Sequence, residues 1–144
     1  MSAPASRTTA AVVTLESTHG YQHLIRSGTH TLVVDEPAAR GGQDAGPNPT
    51  ALVLASLAGC TAITLQMYAA RKGWRLGNIH VRVEADGDGD NLRVVRRVVL
   101  EGPLGPDQLS RLAEIAERTP VTRLLRNGLP IATHIEGTAT STSS

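Results

Sequence analysis

The chemistry open to this 144-residue chain narrows quickly to one thiol, that of Cys60. A cysteine attacks as its thiolate, which needs a cation or a helix N-terminus close by. Cys60 stands in the middle of TALVLASLAGCTAITLQMYAA, within a stretch free of charged side chains between Asp44 and Arg71. In a helix over Thr50 to Ala70 it lies about ten residues from the start, beyond the first turn where the helix dipole acts. Activation therefore has to come from a neighbouring cation. The same residues also read as a buried, inert cysteine serving as a small hydrophobe.

Other reactive types are dispersed. A single cysteine excludes an intrachain disulfide and a multi-cysteine zinc site. His19, His23, His30, His80 and His134 stand singly, without paired ligand spacing, so no metal is expected. The run DGDGDN at 86–91 alternates oxygens as a calcium loop does, but Arg97 holds the place of the bidentate glutamate, which favours a solvated hairpin tip. There is no Ser-His-Asp signature, and Gly41-Gly42 lacks the spacing of a phosphate-binding loop. No cofactor is expected.

The elements that would position Cys60 follow from periodicity and punctuation. Residues 8–16, 21–26 and 29–36 are β-branched runs separated by Thr18-His19-Gly20 and Ser27-Gly28, which predicts a three-stranded meander. The breaker-rich run 37–49 predicts a long irregular loop. Asn48 and Pro49 then supply an N-cap and a favoured first helical residue, and Gly73 after Arg71 and Lys72 supplies the stop. Residues 78–85 alternate as a half-buried strand, and 92–102 form its return. Arg93, Arg96 and Arg97 are the wet face of that strand. A helix opens at Gly105-Pro106-Asp107 with Leu109, Leu112, Ile115 and Ala116 as its apolar stripe. A shorter one starts with Thr119 as cap and Pro120 as first residue, and ends at Asn127-Gly128. Residues 130–136 are expected to be a last strand. The order is α+β, as one domain over 8–136 between disordered ends at 1–7 and 137–144.

Composition sets further bounds. The chain is 40% hydrophobic, with no Phe, one Trp and two Tyr, so its core is aliphatic and it has few rings for stacking bases. A net charge of +1 gives no pull toward nucleic acid or anionic lipid. The start, MSAPASRTTA, has no apolar h-region, and the cytoplasm is the expected location. The central helix is long enough for a membrane span, but its scattered Ser, Thr, Gln and Gly mark it as a core helix, and no membrane association is expected. Its apolar residues surround the axis, so it needs partners on nearly every side. Small-residue rows Ala55/Gly59 and Ala58/Ala62 would admit the same helix of a second copy, making a homodimer; a strand or helix of the same chain is the alternative.

The combination of GPNP, LASLAGCTAITLQMYAARKGW and AERTPVTRLLRNGLPI, with HTLVVDEP upstream, resembles the osmotically inducible protein C family, which includes the organic hydroperoxide resistance proteins. The resemblance runs from about Tyr21 to Ile135. It implies an OsmC-like fold, an antiparallel sheet and a second β/α half around a long central helix, in an intertwined homodimer. It also implies thiol-dependent reduction of organic hydroperoxides, with Cys60 at the peroxidatic position.

Departures from the family pattern are specific. The resolving cysteine of the family stands just before Pro-Val, where this chain has Thr119, which keeps the cap and loses the redox chemistry. The glutamate that follows Asn-Pro in the family is replaced by Thr50 and Ala51, and the activating arginine has only Arg26 and Arg40 as candidates. Two functions are therefore expected in competition. One is a one-cysteine peroxidase in which Cys60 becomes a sulfenic acid and an external thiol reduces it. The other is a catalytically degenerate protein that binds a small hydrophobic ligand at the dimer interface.

Overall fold

The central helix, α1, runs from Pro49 to Lys72, and both ends are made by the residues whose chemistry predicts them. Asn48 Oδ1 accepts the N–H of Ala51 at 2.8 Å, and its carbonyl accepts that of Leu52 at 3.1 Å. At the other end Gly73 turns left-handed, with φ 69°. Its N–H then reaches the Ala70 carbonyl at 3.3 Å and that of Trp74 reaches Ala69 at 2.9 Å, the paired bonds of a Schellman stop. These details come from a computed structural model, which describes residues 11–138.

The order is β1 (Thr14–His19), β2 (Gln22–Ser27), β3 (His30–Val34), a one-turn 3-10 helix (Ala38–Arg40), α1, β4 (Ile79–Asp86), β5 (Arg93–Leu100), α2 (Pro106–Ala116) and α3 (Pro120–Asn127). This is the α+β arrangement that the sequence predicts. Strands β1, β2 and β3 form an antiparallel meander, and β4 pairs with β5 in a separate sheet. The chain divides into two compact units. One holds the residues through Gly59 and His80–Val99, and the other Cys60–Ile79 and the residues from Leu100 on.

In the first unit, β2 is the middle strand, with Leu24 opposite Glu16 and Val33, and Arg26 opposite Thr14 and Thr31. Strand β1 starts at Thr14 rather than residue 8; residues 8–10 lie outside the described chain, and Val12 and Val13 are exposed. The predicted loop over 37–49 is more ordered than its composition suggests, because Asp35 organises it. This buried carboxylate, at 2% exposure, accepts the backbone N–H groups of Glu36 at 2.8 Å, Gln43 at 3.2 Å and Ala45 at 3.1 Å. Its own N–H bonds the Pro47 carbonyl at 3.2 Å. The Ala45 bond, joined by those of Glu36 and Gln43 and by the field of His19, holds the carboxyl below its ordinary range against the opposing effect of desolvation. Gly46 is required by contact: a Cβ there would run into the Val33 carbonyl.

In the second unit, Leu65, Ala69, Leu76, Leu112 and Ala116 form the apolar core, with Thr61, Thr119 and Thr122 buried among the polar residues. Along α1, Leu57, Thr61, Leu65 and Ala69 are buried at a spacing of four, while Val53, Ile63 and Met67 are 45%, 57% and 56% exposed. One stripe of the helix is thus covered, and the all-round apolar surface expected to need partners remains open elsewhere. The Ala55/Gly59 row is exposed as well, with open space where a Gly59 Cβ would stand.

Two expectations are corrected. Residues 130–136 alternate like a strand but form none; Ile131 and Ile135 are 86% and 92% exposed, and a strand exists only through a partner strand. In α2, Leu112 and Ala116 are buried as expected, whereas Leu109 is 46% exposed. The predicted disordered end at 1–7 and most of that at 137–144 lie outside the described residues.

Candidate functional site

Cys60 is eleven residues past Pro49 on α1 and half-buried, so its thiol is neither sealed nor fully wet. Its Sγ meets Thr64 Oγ1, one turn on, at 3.9 Å. Either group can donate to the other, so the hydroxyl can hold the proton of a thiol or donate to a thiolate. Thr64 was not singled out by sequence reasoning, although its place four residues after a helical cysteine is the signal that puts the two on one face.

Thr119 has the capping role that the sequence assigns to it. It is fully buried, stands in extended conformation before Pro120, and its Oγ1 accepts the N–H of Thr122 at 3.3 Å. The Thr122 hydroxyl reaches the Ala116 carbonyl at 3.3 Å and the Thr119 hydroxyl at 2.6 Å. Since a carbonyl only accepts, Thr122 donates to Ala116 and Thr119 donates to Thr122. The Thr119 hydroxyl thus both donates and accepts at the start of α3. Thr119→Ala is expected to cost about 1 kcal/mol of stability through loss of the cap and to leave any hydroperoxide turnover unchanged. A thermal midpoint that stays put while turnover falls would assign Thr119 to catalysis instead.

The two candidate activating arginines lie in the other unit. Arg26 is exposed on β2, and Arg40 is the exposed last residue of the 3-10 turn. Neither guanidinium has a hydrogen bond or ion pair among the described residues. The thiol's own hydrogen-bonding contact within the described chain is the neutral Thr64 hydroxyl. No cluster of metal-ligating side chains occurs among the described residues.

The second unit contains a cavity of about 360 Å³ lined by Thr64, Met67, Tyr68, Arg71, Ile115, Arg118 and Pro120. Its wall therefore includes the Thr64 that touches Cys60 and the two residues that flank Thr119. Next to it, Tyr68 packs edge-on against Trp74 with ring centres 5.7 Å apart, and the Tyr68 oxygen accepts Arg111 Nε at 3.0 Å.

Comparisons with known proteins agree with this architecture. Solved structures of similar fold include an OsmC-like protein from Mycoplasma pneumoniae, at 17% identity and a TM-score of 0.71 over 83% of this chain and 89% of that one. An organic hydroperoxide resistance protein OsmC from Legionella pneumophila is 19% identical, with a TM-score of 0.65 over 84% of this chain and 92% of that one. An organic hydroperoxide resistance protein from Elizabethkingia anophelis is 22% identical, with a TM-score of 0.66 over 83% of this chain and 90% of that one. No curated protein matches the chain. At these identities the structures establish the fold; the family description "OsmC-like protein" matches residues 41–134, well over half of the sequence, and the chain belongs to that family.

Proposed function

We propose that this OsmC-family protein reduces organic hydroperoxides through Cys60 by a one-cysteine mechanism. The observation that carries the reading is the half-buried Cys60 thiol touching Thr64, which itself lines a cavity with an apolar wall. Family members named as organic hydroperoxide resistance proteins share the fold. The thiolate attacks one peroxide oxygen, the O–O bond breaks, and the other oxygen leaves as an alcohol after taking a proton, so that sulfur is oxidised to sulfenic acid. Because Thr119 cannot resolve it, an external thiol attacks the sulfenic sulfur and expels water, forming a mixed disulfide. A second external thiol then releases a small-molecule disulfide and restores Cys60. Consumption of cumene hydroperoxide in the presence of a small dithiol tests this. Turnover that equals the background rate, or that survives Cys60→Ser, would defeat it.

That the thiol's hydrogen-bonding contact is a neutral hydroxyl favours a second reading, in which the fold binds a small hydrophobic ligand without redox chemistry. In either case the functional unit we propose is a homodimer: the open Ala55/Gly59 row and the exposed Val53 and Ile63 give α1 a surface that a second copy would cover. On this reading α1 is an interface helix, although by length and composition it could cross a membrane. The dimer would also let Arg26 or Arg40 of one copy approach the Cys60 of the other and supply the missing cation. Light scattering at micromolar concentration is expected to give twice the chain mass of 15.1 kDa; the mass of one chain would remove the proposed interface. A cytoplasmic location, without nucleic-acid or membrane partners, fits the near-neutral charge.

A further inference from the structure

The cavity beside Thr64 has a charge pattern that peroxide chemistry does not require. Of its lining residues, Arg71 and Arg118 are cations, and there is no carboxylate. Two other arginines of this unit are ion-paired: Arg111 Nη1 bonds Glu114 Oε2 at 2.7 Å, and Arg126 is paired with Glu117. Arg71 and Arg118 have no ion pair among the described residues. Two unneutralised guanidiniums at one cavity repel each other and are relieved by a shared anion, for which their planar forks are suited.

The rest of the lining defines the body of that anion. Met67, Ile115, Pro120 and the Tyr68 ring offer apolar surface. Because the Tyr68 oxygen already accepts from Arg111, its own proton is left to donate. From Thr64 to Arg71 the α1 wall rises about 10 Å, which suits an extended aliphatic chain lying along the helix rather than a compact inorganic ion.

We propose that this cavity is a binding site for an aliphatic monocarboxylate of medium chain length, its head held between Arg71 and Arg118 and its tail on Met67, Ile115 and Pro120. The site is noncovalent and does not depend on redox chemistry at Cys60. It gives the ligand-binding capacity of the fold a chemical class and a polarity.

The test uses the full chain with decanoate below its micellar concentration, and decan-1-ol as the uncharged counterpart. Trp74, the only tryptophan and in edge contact with Tyr68, is the built-in reporter. Decanoate is expected to change its emission saturably and to bind about tenfold or more tightly than decan-1-ol. The double variant Arg71→Gln/Arg118→Gln is expected to weaken decanoate by about tenfold or more while leaving decan-1-ol within about twofold. Arg126→Gln, which removes a paired arginine, should alter neither. Cys60→Ser should retain decanoate affinity, so failure of the peroxidase reading and failure of this site are separable. Equal affinity of the wild-type protein for decanoate and decan-1-ol, or undiminished decanoate binding by the double variant, would overturn the proposal. Absence of saturable binding to the wild type, checked by calorimetry, would overturn it as well.

Discussion

One equivalent of cumene hydroperoxide is expected to raise the mass of the chain by a single oxygen, in a form that a sulfenic-acid reagent captures. Cys60→Ser should abolish both the mass change and the capture, the largest functional effect expected of any substitution here. The expectation follows from cysteine arithmetic. With no second thiol in the chain, oxidation can give sulfenic acid, mixed disulfides with small thiols, or overoxidised acids, but no intrachain bridge. A bridge between the Cys60 residues of two copies would require Cα atoms within about 7 Å, and none is expected. Adding a small thiol should convert the oxidised species to a mixed disulfide and then to the free thiol. Arg26→Gln and Arg40→Gln test the two proposed activators: a variant that slows oxidation at neutral pH marks the cation, and unchanged rates in both would remove the proposed role. A Cys60 that stays unmodified under prolonged excess peroxide would leave noncovalent ligand binding as the function.

Replacing Asp35 should produce the largest loss of stability among polar substitutions in the first unit. Three backbone N–H groups, those of Glu36, Gln43 and Ala45, end on its two oxygens. Alanine leaves all three donors without this acceptor. Asparagine can present an oxygen to one side only and turns an NH2 toward the other. The pH dependence has a definite sign. The folded-state pKa is lowered, so the carboxylate stabilises the fold above the ordinary value of 3.8, and this contribution is lost as pH falls from there through the lowered value. The thermal midpoint of the wild type should therefore exceed that of Asp35→Asn most at neutral pH, with the gap closing below about pH 4. A gap that persists unchanged into acid would mean that shape, not charge, ties the loop.

The legible parts of this fold are those whose causes are local in sequence. Asn48-Pro49 and Gly73-Trp74 specify both ends of α1 because a cap bonds residues three to five positions away. The same holds for Thr119 and Pro120 at α3. The role of Asp35 is not legible because its partners lie as far on as Gln43 and Ala45, and nothing in VVDEP marks the aspartate as a hub until the loop has folded around it. The cavity likewise combines α1 with the segment from Ile115 to Pro120, a juxtaposition that periodicity cannot give. Alternation at 130–136 predicted a strand because the pattern reports which residues could share a face, not whether a neighbour exists. Cys60 was legible through a motif, but its meeting with Thr64 and the engagement of the Thr119 hydroxyl required geometry.

The meander and its Asp35-tied loop have a consequence for the order in which the molecule forms. The pairing of Thr14 with Arg26, of His23 with Val34, and of Asp35 with Gln43 and Ala45 all close over short stretches between Thr14 and Pro47. Chain closure over such spans costs little entropy, and none of these contacts waits for a later segment. During synthesis this portion can acquire its hydrogen bonds before Cys60 has left the ribosome. The rest of the same unit, His80–Val99, arrives only after the chain has passed through Cys60–Ile79. Substitutions in the meander should therefore slow folding more than those in β5.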